Sequence, residues 1–241
     1  MSIFDTTKTK YIAHRGFRPM APENSLPSFY YAGLLGQWAI ETDLHLTADG
    51  EVVCCHNESI EKYCNAEGYI RDMTYAELQK FPIVNGKRAA CFTDEERRIP
   101  RLEEYLEICR RFGSVPFIEL KTDDTAYILH RIRKCGFGEG EIVVSSTVQE
   151  RLECARAEAK GAFLHLIFAR DDQLEGMSRL GNAGVSRNIP DPNDCTPRDV
   201  ELPRELGLRV CLRAADSLAY LTKMRELGLD YFPTNILHDP L

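Results

Sequence analysis

Short apolar runs alternate with helix-period patterns along most of this chain. Runs of strand length fall at 11–14, 39–46, 115–121, 142–146, 162–168, 184–188, 208–213 and 230–233. Between them, apolar residues recurring every three or four positions predict helices at 25–35, 102–112, 125–135, 148–159, 171–180 and 217–227. The proline-rich gap between Asn188 and Leu208 reads as loop plus a short helix. Strands alternating with helices predict an α/β fold with a parallel sheet, and eight such strands favour closure into a (β/α)8 TIM barrel. Only eight residues follow Pro233, so an eighth helix is expected to be missing or very short.

The second strand carries an extra feature. Residues 39–56, AIETDLHLTADGEVVCCH, read as strand, Asp49-Gly50 turn, strand. With those two residues as the loop, Ala48 faces Glu51 and Asp43 faces His56. Residues two apart share a face, so Glu41, Asp43 and His56 are expected on one side. Ile40, Thr42, Leu44 and Leu46, mostly apolar, take the other. A register slip of one residue would reverse His56. Residues 57–100 then form a polar excursion, a small insertion in what reads as a single domain spanning 1–241. The strand at 115–121 repeats the division, with Glu119 and Lys121 on one face and Ile118 and Leu120 on the other.

The chain has 241 residues, 44% hydrophobic and 28% charged, ordinary for a soluble barrel. A net charge of −7 argues against wholesale binding to nucleic acid or anionic membrane, though a local basic pocket for a small anion stays open. No stretch approaches the roughly 18 apolar residues of a membrane span, so no stable membrane insertion is expected. The opening MSIFDTTKTK lacks an apolar core of signal-peptide length. Nine cysteines without CxxC spacing suggest reduced thiols in a cytoplasmic protein.

Charges inside and apolar residues outside, at strand C-terminal ends, form the pattern of a barrel active site. Glu41, Asp43 and Glu119 converging without cations would repel one another. A divalent cation would resolve that repulsion, and all-oxygen ligation suits Mg²⁺ or Ca²⁺. His14 and Arg15 close the first strand. With His56 and Lys121 they add two imidazoles for proton transfer and two fixed cations suited to phosphate. Together these residues form a kit for cleaving a phosphodiester.

The chain resembles the glycerophosphodiester phosphodiesterase family of phosphatidylinositol-phospholipase-C-like barrels. The matching stretches are AHRG, PENSLPSF, IETDLHLTADGEVV, His56 and IELK, with VVSST and LDYFPTN matching more loosely. The resemblance implies metal-dependent hydrolysis of a small glycerophosphodiester to glycerol 3-phosphate and an alcohol. It implies His14 and His56 as the acid–base pair, Arg15 and Lys121 on phosphate, and Glu41, Asp43 and Glu119 on metal. Two departures stand out. Asn57 follows His56 where the family usually has Asp, and VCLRAADS replaces a seventh-strand Trp-Thr pair, leaving Arg213 as a candidate extra anion contact. Glu23 and Asn24 are candidates for orienting the His14 loop or touching the site. His45 shares the Asp43 face, with a structural role expected. The rival readings are a lysophospholipase D or sphingomyelinase-D-like activity, and a non-catalytic phosphate-binding barrel. Head group and oligomeric state stay open.

Overall fold

The computed structural model describes residues 2–7, 9–213 and 216–239. The strands are β1 (Tyr11–Ala13), β2 (Ala39–Leu46), β3 (Val52–Cys54), β4 (Val115–Leu120), β5 (Val143–Ser146), β6 (Phe163–Leu166), β7 (Ala183–Ser186), β8 (Arg209–Cys211) and β9 (Phe232–Thr234). The helices are α1 (Leu26–Leu34), α2 (Tyr75–Leu78), α3 (Leu102–Phe112), α4 (Thr125–Lys134), α5 (Gln149–Glu158), α6 (Asp171–Leu180), α7 (Pro197–Glu205) and α8 (Leu218–Glu226). Eight strands run parallel in the order β8-β7-β6-β5-β4-β2-β1-β9, and β3 pairs antiparallel with β2. At the β8–β9 seam, the Asp230 N–H donates to the Val210 carbonyl at 3.0 Å. The Asp230 carboxylate accepts the Val210 N–H at 2.9 Å. The result is a nearly closed (β/α)8 barrel, as the alternation predicts. Among the described residues no helix follows β9.

Strand parity sorts the core into two layers. Outward residues Ile40, Leu44, Ile118, Leu120, Val144, Leu164 and Val185 pack on Leu102, Leu106, Ile128, Leu129, Leu152 and Met177 of the helices. Inward residues Ile12, Ala39, Phe117, Val143, Phe163, Cys211 and Tyr231 fill the barrel floor, with Phe4 and Trp38 packed against them. The indole N–H of Trp38 donates to the Ile3 carbonyl at 3.0 Å, tying the N-terminal segment under the barrel. The interior is thus largely apolar at the bottom, where Arg209 stacks over Phe4, 4.1 Å from the ring centroid, and the inward carboxylates lie toward the strands' C-terminal ends.

One local expectation needs correction. The hairpin register is Leu44↔Cys54, His45↔Val53 and Leu46↔Val52, one residue from the expected pairing. Thr47 rather than Ala48 stands opposite Glu51, its N–H donating to the Glu51 carbonyl at 2.9 Å. The loop therefore has three residues, with Gly50 at φ +80, a left-handed turn position that suits glycine. Regular continuation of this ladder would carry His56 to the outer face. It does not, because β3 ends at Cys54 and the chain leaves the sheet before His56. In the proline-rich gap the expected loop and short helix are both present: a loop carrying one 3-10 turn, Pro192–Asp194, leads into α7. The helix runs nine residues because Pro197 sits at its tolerated N-terminal position and Thr196 and Asp199 form a capping box.

Residues 57–100 contain α2 and two single 3-10 turns, Ile70–Asp72 and Ala89–Cys91. Ile60, Tyr63, Cys64, Ile70, Leu78, Ile83 and Ile99 gather there, with Val53 and Cys55 of the hairpin, in a cluster distinct from the barrel's clusters.

Candidate active site

The site is built from strand ends and the loops after them. His14 continues β1 by one residue, its N–H bonded to the Thr234 carbonyl at 3.0 Å, so its ring faces inward. Arg15 then adopts φ +59, a left-handed conformation that costs a non-glycine residue about 1–3 kcal/mol. Its contacts offset that strain. The Arg15 N–H donates to Glu41 Oε2 at 2.7 Å, Nη1 donates to Glu23 Oε1 at 3.1 Å, and Nε lies 3.5 Å from Asp43 Oδ2. Asn24, also left-handed at φ +51, donates through Nδ2 to Asp43 Oδ2 at 2.9 Å and accepts the Thr42 hydroxyl at 2.9 Å.

Glu41 and Asp43 of β2 and Glu119 of β4 are all buried, and one carboxylate oxygen from each lies within 4.8 Å of the others. Register brings them together, since Asp43 pairs directly with Glu119. Lys121 Nζ lies 3.1 Å from Asp43 Oδ1 and 2.5 Å from Glu119 Oε1. Burial and the Asp43 charge hold the Glu41 carboxyl well above its ordinary range. The same two causes push Glu119 up to about 7. Asp43 goes the other way: burial opposes its charge, but Lys121 and Arg15 outweigh burial and lower its pKa. Three crowded, buried carboxylate oxygen donors fit a hard divalent cation.

Both histidines are held the same way. His14 Nδ1 donates to Asn235 Oδ1 at 3.0 Å, and Arg18 Nη1 donates to the same oxygen at 2.8 Å. Asp216 accepts the Asn235 amide Nδ2 at 2.6 Å, which fixes that side chain's orientation. His56 Nδ1 donates to Asn57 Oδ1 at 2.7 Å, and the Tyr63 hydroxyl donates there at 3.1 Å. Because an amide oxygen can only accept, each imidazole keeps its proton on Nδ1 when neutral, and Nε2 is left to exchange protons. Burial, then Arg15, lowers His14 to about 4. Burial lowers His56 as well, with Asp43 pulling the other way. His45 is buried with Nε2 3.3 Å from the His56 carbonyl, so it steadies the turn that carries His56.

A cleft of about 680 Å³ opens at this end of the barrel, lined by His14, Arg15, Glu41, His56, Glu119, Lys121 and Arg213 among others. Asp43 and Asn24 lie buried beneath it, and Asn57 stands behind His56. Arg213 stacks over Phe168, 5.3 Å from the ring centroid. Glu23 is ringed by Arg15, Arg18 and Lys62. Burial works against its charge, yet these cations hold it down at about 2. Sequence reasoning missed Asn235, Asp216, Arg18, Lys62 and Tyr63. Asn235 alone had a signal, as the last residue of LDYFPTN. His165 also lines the cleft floor, its Nδ1 2.6 Å from the Tyr231 hydroxyl.

Fold and site together define a class: a (β/α)8 barrel whose mouth gathers two histidines, two cations and three carboxylates around one cleft. The glycerophosphoryl diester phosphodiesterase family matches residues 14–235, and the chain belongs to that family. A glycerophosphodiester phosphodiesterase of Caldanaerobacter subterraneus subsp. tengcongensis is 34% identical over 145 residues, covering 58% of this chain and 58% of that protein. The chain therefore spans little more than half the length of that relative. A putative glycerophosphoryl diester phosphodiesterase of Silicibacter pomeroyi DSS-3 superposes with a TM-score of 0.80 at 22% identity, over 98% of this chain and 93% of that one. An Oleispira antarctica phosphodiesterase, solved in complex with the product sn-glycerol-3-phosphate, gives 0.81 at 22% identity, over 98% and 96%. These likenesses extend the fold across nearly the whole chain.

Proposed function

We propose that this protein hydrolyses small glycerophosphodiesters to glycerol 3-phosphate and an alcohol. The observation that carries the reading is the convergence of His14, His56, Arg15, Lys121, Glu41, Asp43 and Glu119 on one cleft. Glu41, Asp43 and Glu119 would hold a divalent cation, Mg²⁺ or Ca²⁺. When bound, that ion supplies charge neutralisation on the phosphoryl oxygens. Arg15 and Lys121 bind the phosphate from their own side. One histidine accepts a proton from the attacking hydroxyl, which belongs to water or to the substrate's own glycerol; in the second case a cyclic glycerol phosphate forms first and water then opens it to glycerol 3-phosphate. The other donates a proton to the leaving alkoxide as its P–O bond breaks. Glu23 and Asn24 position Arg15 and Asp43, Asn57 positions His56, and Arg213 offers the substrate a further cation at the rim.

The lipid-directed alternative wants an apolar rim. Among the exposed large apolar side chains described, Phe168 lines this cleft and the others do not. A reducing, cytoplasmic location belongs to the same reading. The nine cysteines are free thiols, Cys91 and Cys154 exposed, and no helix among the described residues is long and apolar enough to cross a membrane.

The test is release of glycerol 3-phosphate from glycerophosphoglycerol with and without chelator. Chelation should abolish release and Mg²⁺ or Ca²⁺ should restore it. His14→Ala and His56→Ala should each lower turnover about 100-fold or more, the usual scale for an acid–base group. Full release after exhaustive chelation, with metal content verified as negligible, would sink the metal role. Near-normal turnover in either variant would remove that histidine from the mechanism.

A further inference from the structure

Beside the cleft lies a second cavity of about 630 Å³. The two share Arg18, Asp216 and Asn235, so they meet across the residues that hold His14. The far wall comes from the insertion, through Lys62, Tyr63 and the strap 85–87. That wall is fixed. The Val84 and Asn85 N–H groups both donate to the Tyr63 carbonyl, at 2.8 and 3.0 Å, and Asn85 Nδ2 donates to the Lys62 carbonyl at 3.1 Å. Gly86 sits at φ +133, and a Cβ there would lie 2.8 Å from Pro22 Cβ, so the strap rests directly on the β1–α1 loop. The Tyr63 hydroxyl reaches Asn57, the partner of His56. The cavity is therefore walled by residues tied to both histidines.

We propose that this cavity is the subsite for the leaving alcohol, and that it takes an alcohol bearing an anionic group, a phosphate or a carboxylate. The inference rests on the phosphodiesterase reading above. The lining sets Arg18, Lys62 and Lys87 against Glu23 and Asp216. The lining's three cations outnumber its two acids, and Glu23 is further offset by Arg15. Glu23 is contacted by Arg15, Arg18 and Lys62 at 3.0–3.1 Å. Asp216 accepts the Asn235 backbone N–H at 2.7 Å and its Nδ2 at 2.6 Å. Lys87 has no carboxylate partner among the described residues and stands exposed at the rim. A quaternary ammonium head group would need open aromatic faces. Tyr63 is the one aromatic ring in the described lining, and Lys62 Nζ already sits 5.0 Å from its centroid. On a chain of net charge −7, such a pocket draws anions only locally.

The experiment compares four diesters of glycerol 3-phosphate, with choline, glycerol, glycerate or glycerol phosphate as the second alcohol. Loss of the diester is followed by phosphorus NMR with metal present. The anionic alcohols should raise kcat/KM over glycerol by about tenfold, a few-fold for each exposed cation, and added salt should shrink the gain. A gain for both anions assigns a general anion subsite; a gain for the phosphate alone narrows it to phosphate. In the Lys62→Gln/Lys87→Gln double variant the ratio of anionic to neutral substrate should collapse toward one, carried by KM. Lys87→Glu should lower the same ratio. A preference for choline or glycerol, or a ratio unmoved in the double variant while diesters are still cleaved, would overturn the subsite alone. Cleavage of none of the four would overturn the phosphodiesterase reading and the subsite with it.

Discussion

Asn57 offers the His56 imidazole a neutral acceptor, and the Tyr63 hydroxyl shares that oxygen. Orientation is thereby secured without the charge that would favour imidazolium. Asn57→Asp keeps both acceptor contacts and adds a negative charge beside the ring. The His56 pKa should rise, and the limb of the pH–rate profile set by His56 should move to higher pH. A profile identical to wild type would mean that residue 57 does not tune the imidazole. Glu119 is the second informative residue. Its carboxyl is pushed up to about 7 without metal, above the unfolded value near 4.5. A raised carboxylate pKa means the charged form is penalised in the fold, so metal-free protein loses stability as pH rises from about 4.5 to about 7. Metal-free Glu119→Gln should therefore melt higher than metal-free parent at pH 8, while binding metal more weakly. A lower melting temperature for the variant would contradict the repulsion. Both residues were legible in the sequence from strand parity and motif. Asp216 was not, and Asn235 showed only as the end of LDYFPTN, since an Asn–Asp pair from two loops has no spacing or periodicity to announce the pairing.

At the scale of elements, the hairpin and the insertion decide how His56 is presented. Parity along β2 was readable and placed Glu41 and Asp43 inward. The hairpin's register was not, because Thr47-Ala48-Asp49-Gly50 accommodates either a two- or a three-residue loop. Tertiary contacts break the tie: Ala48 donates its N–H to the Met73 carbonyl at 2.8 Å, and Asp49 accepts the Tyr75 N–H at 2.9 Å. His56 reaches the cleft by leaving the ladder rather than by following it. The insertion's own cluster centres on side chains such as Leu78, fully buried within it. Leu78→Ala should cost that cluster about 2–5 kcal/mol. Limited proteolysis should then cut faster within 57–100 while the barrel stays resistant, and kcat/KM should fall through displaced Tyr63 and Lys62. Equal protease sensitivity in barrel and insertion would show that the two do not open separately.

For the whole molecule, the buried interior sets the response to acid. His165 sits on the barrel floor against Phe117 and Tyr231, and burial lowers its pKa to about 3 from an ordinary value near 6.5. The folded state keeps the ring neutral, whereas the unfolded chain takes up a proton below about pH 6.5. This group's contribution to stability should therefore fall as pH drops from about 6.5 toward 3, by up to ~1.4 kcal/mol per unit. It is joined by His14, held at about 4, and opposed between about 4.5 and 7 by Glu119 in metal-free protein. Glu23, held at about 2, adds a loss at lower pH, between its unfolded value near 4.5 and 2. Denaturant unfolding at a series of pH values checks this. His165→Gln should flatten the slope between pH 6.5 and 4.5, where Glu23 contributes little, and an unchanged slope there would exclude His165 as its source.

By itself the sequence determined the eight strands, the layering of apolar and charged faces, and the seven residues that the fold gathers at one end of the barrel. These depend on local periodicity and on short motifs, which a single chain displays openly. Tertiary structure alone decided the hairpin register, the Asn–His pairs that orient both imidazoles, the clamp of Gly86 on Pro22 and the second cavity. Each of those is made by segments far apart in the chain, such as His14 with Asn235 and Pro22 with Gly86. Their partners are chosen by how the barrel closes and how the insertion folds back, and no pattern along either segment encodes that choice.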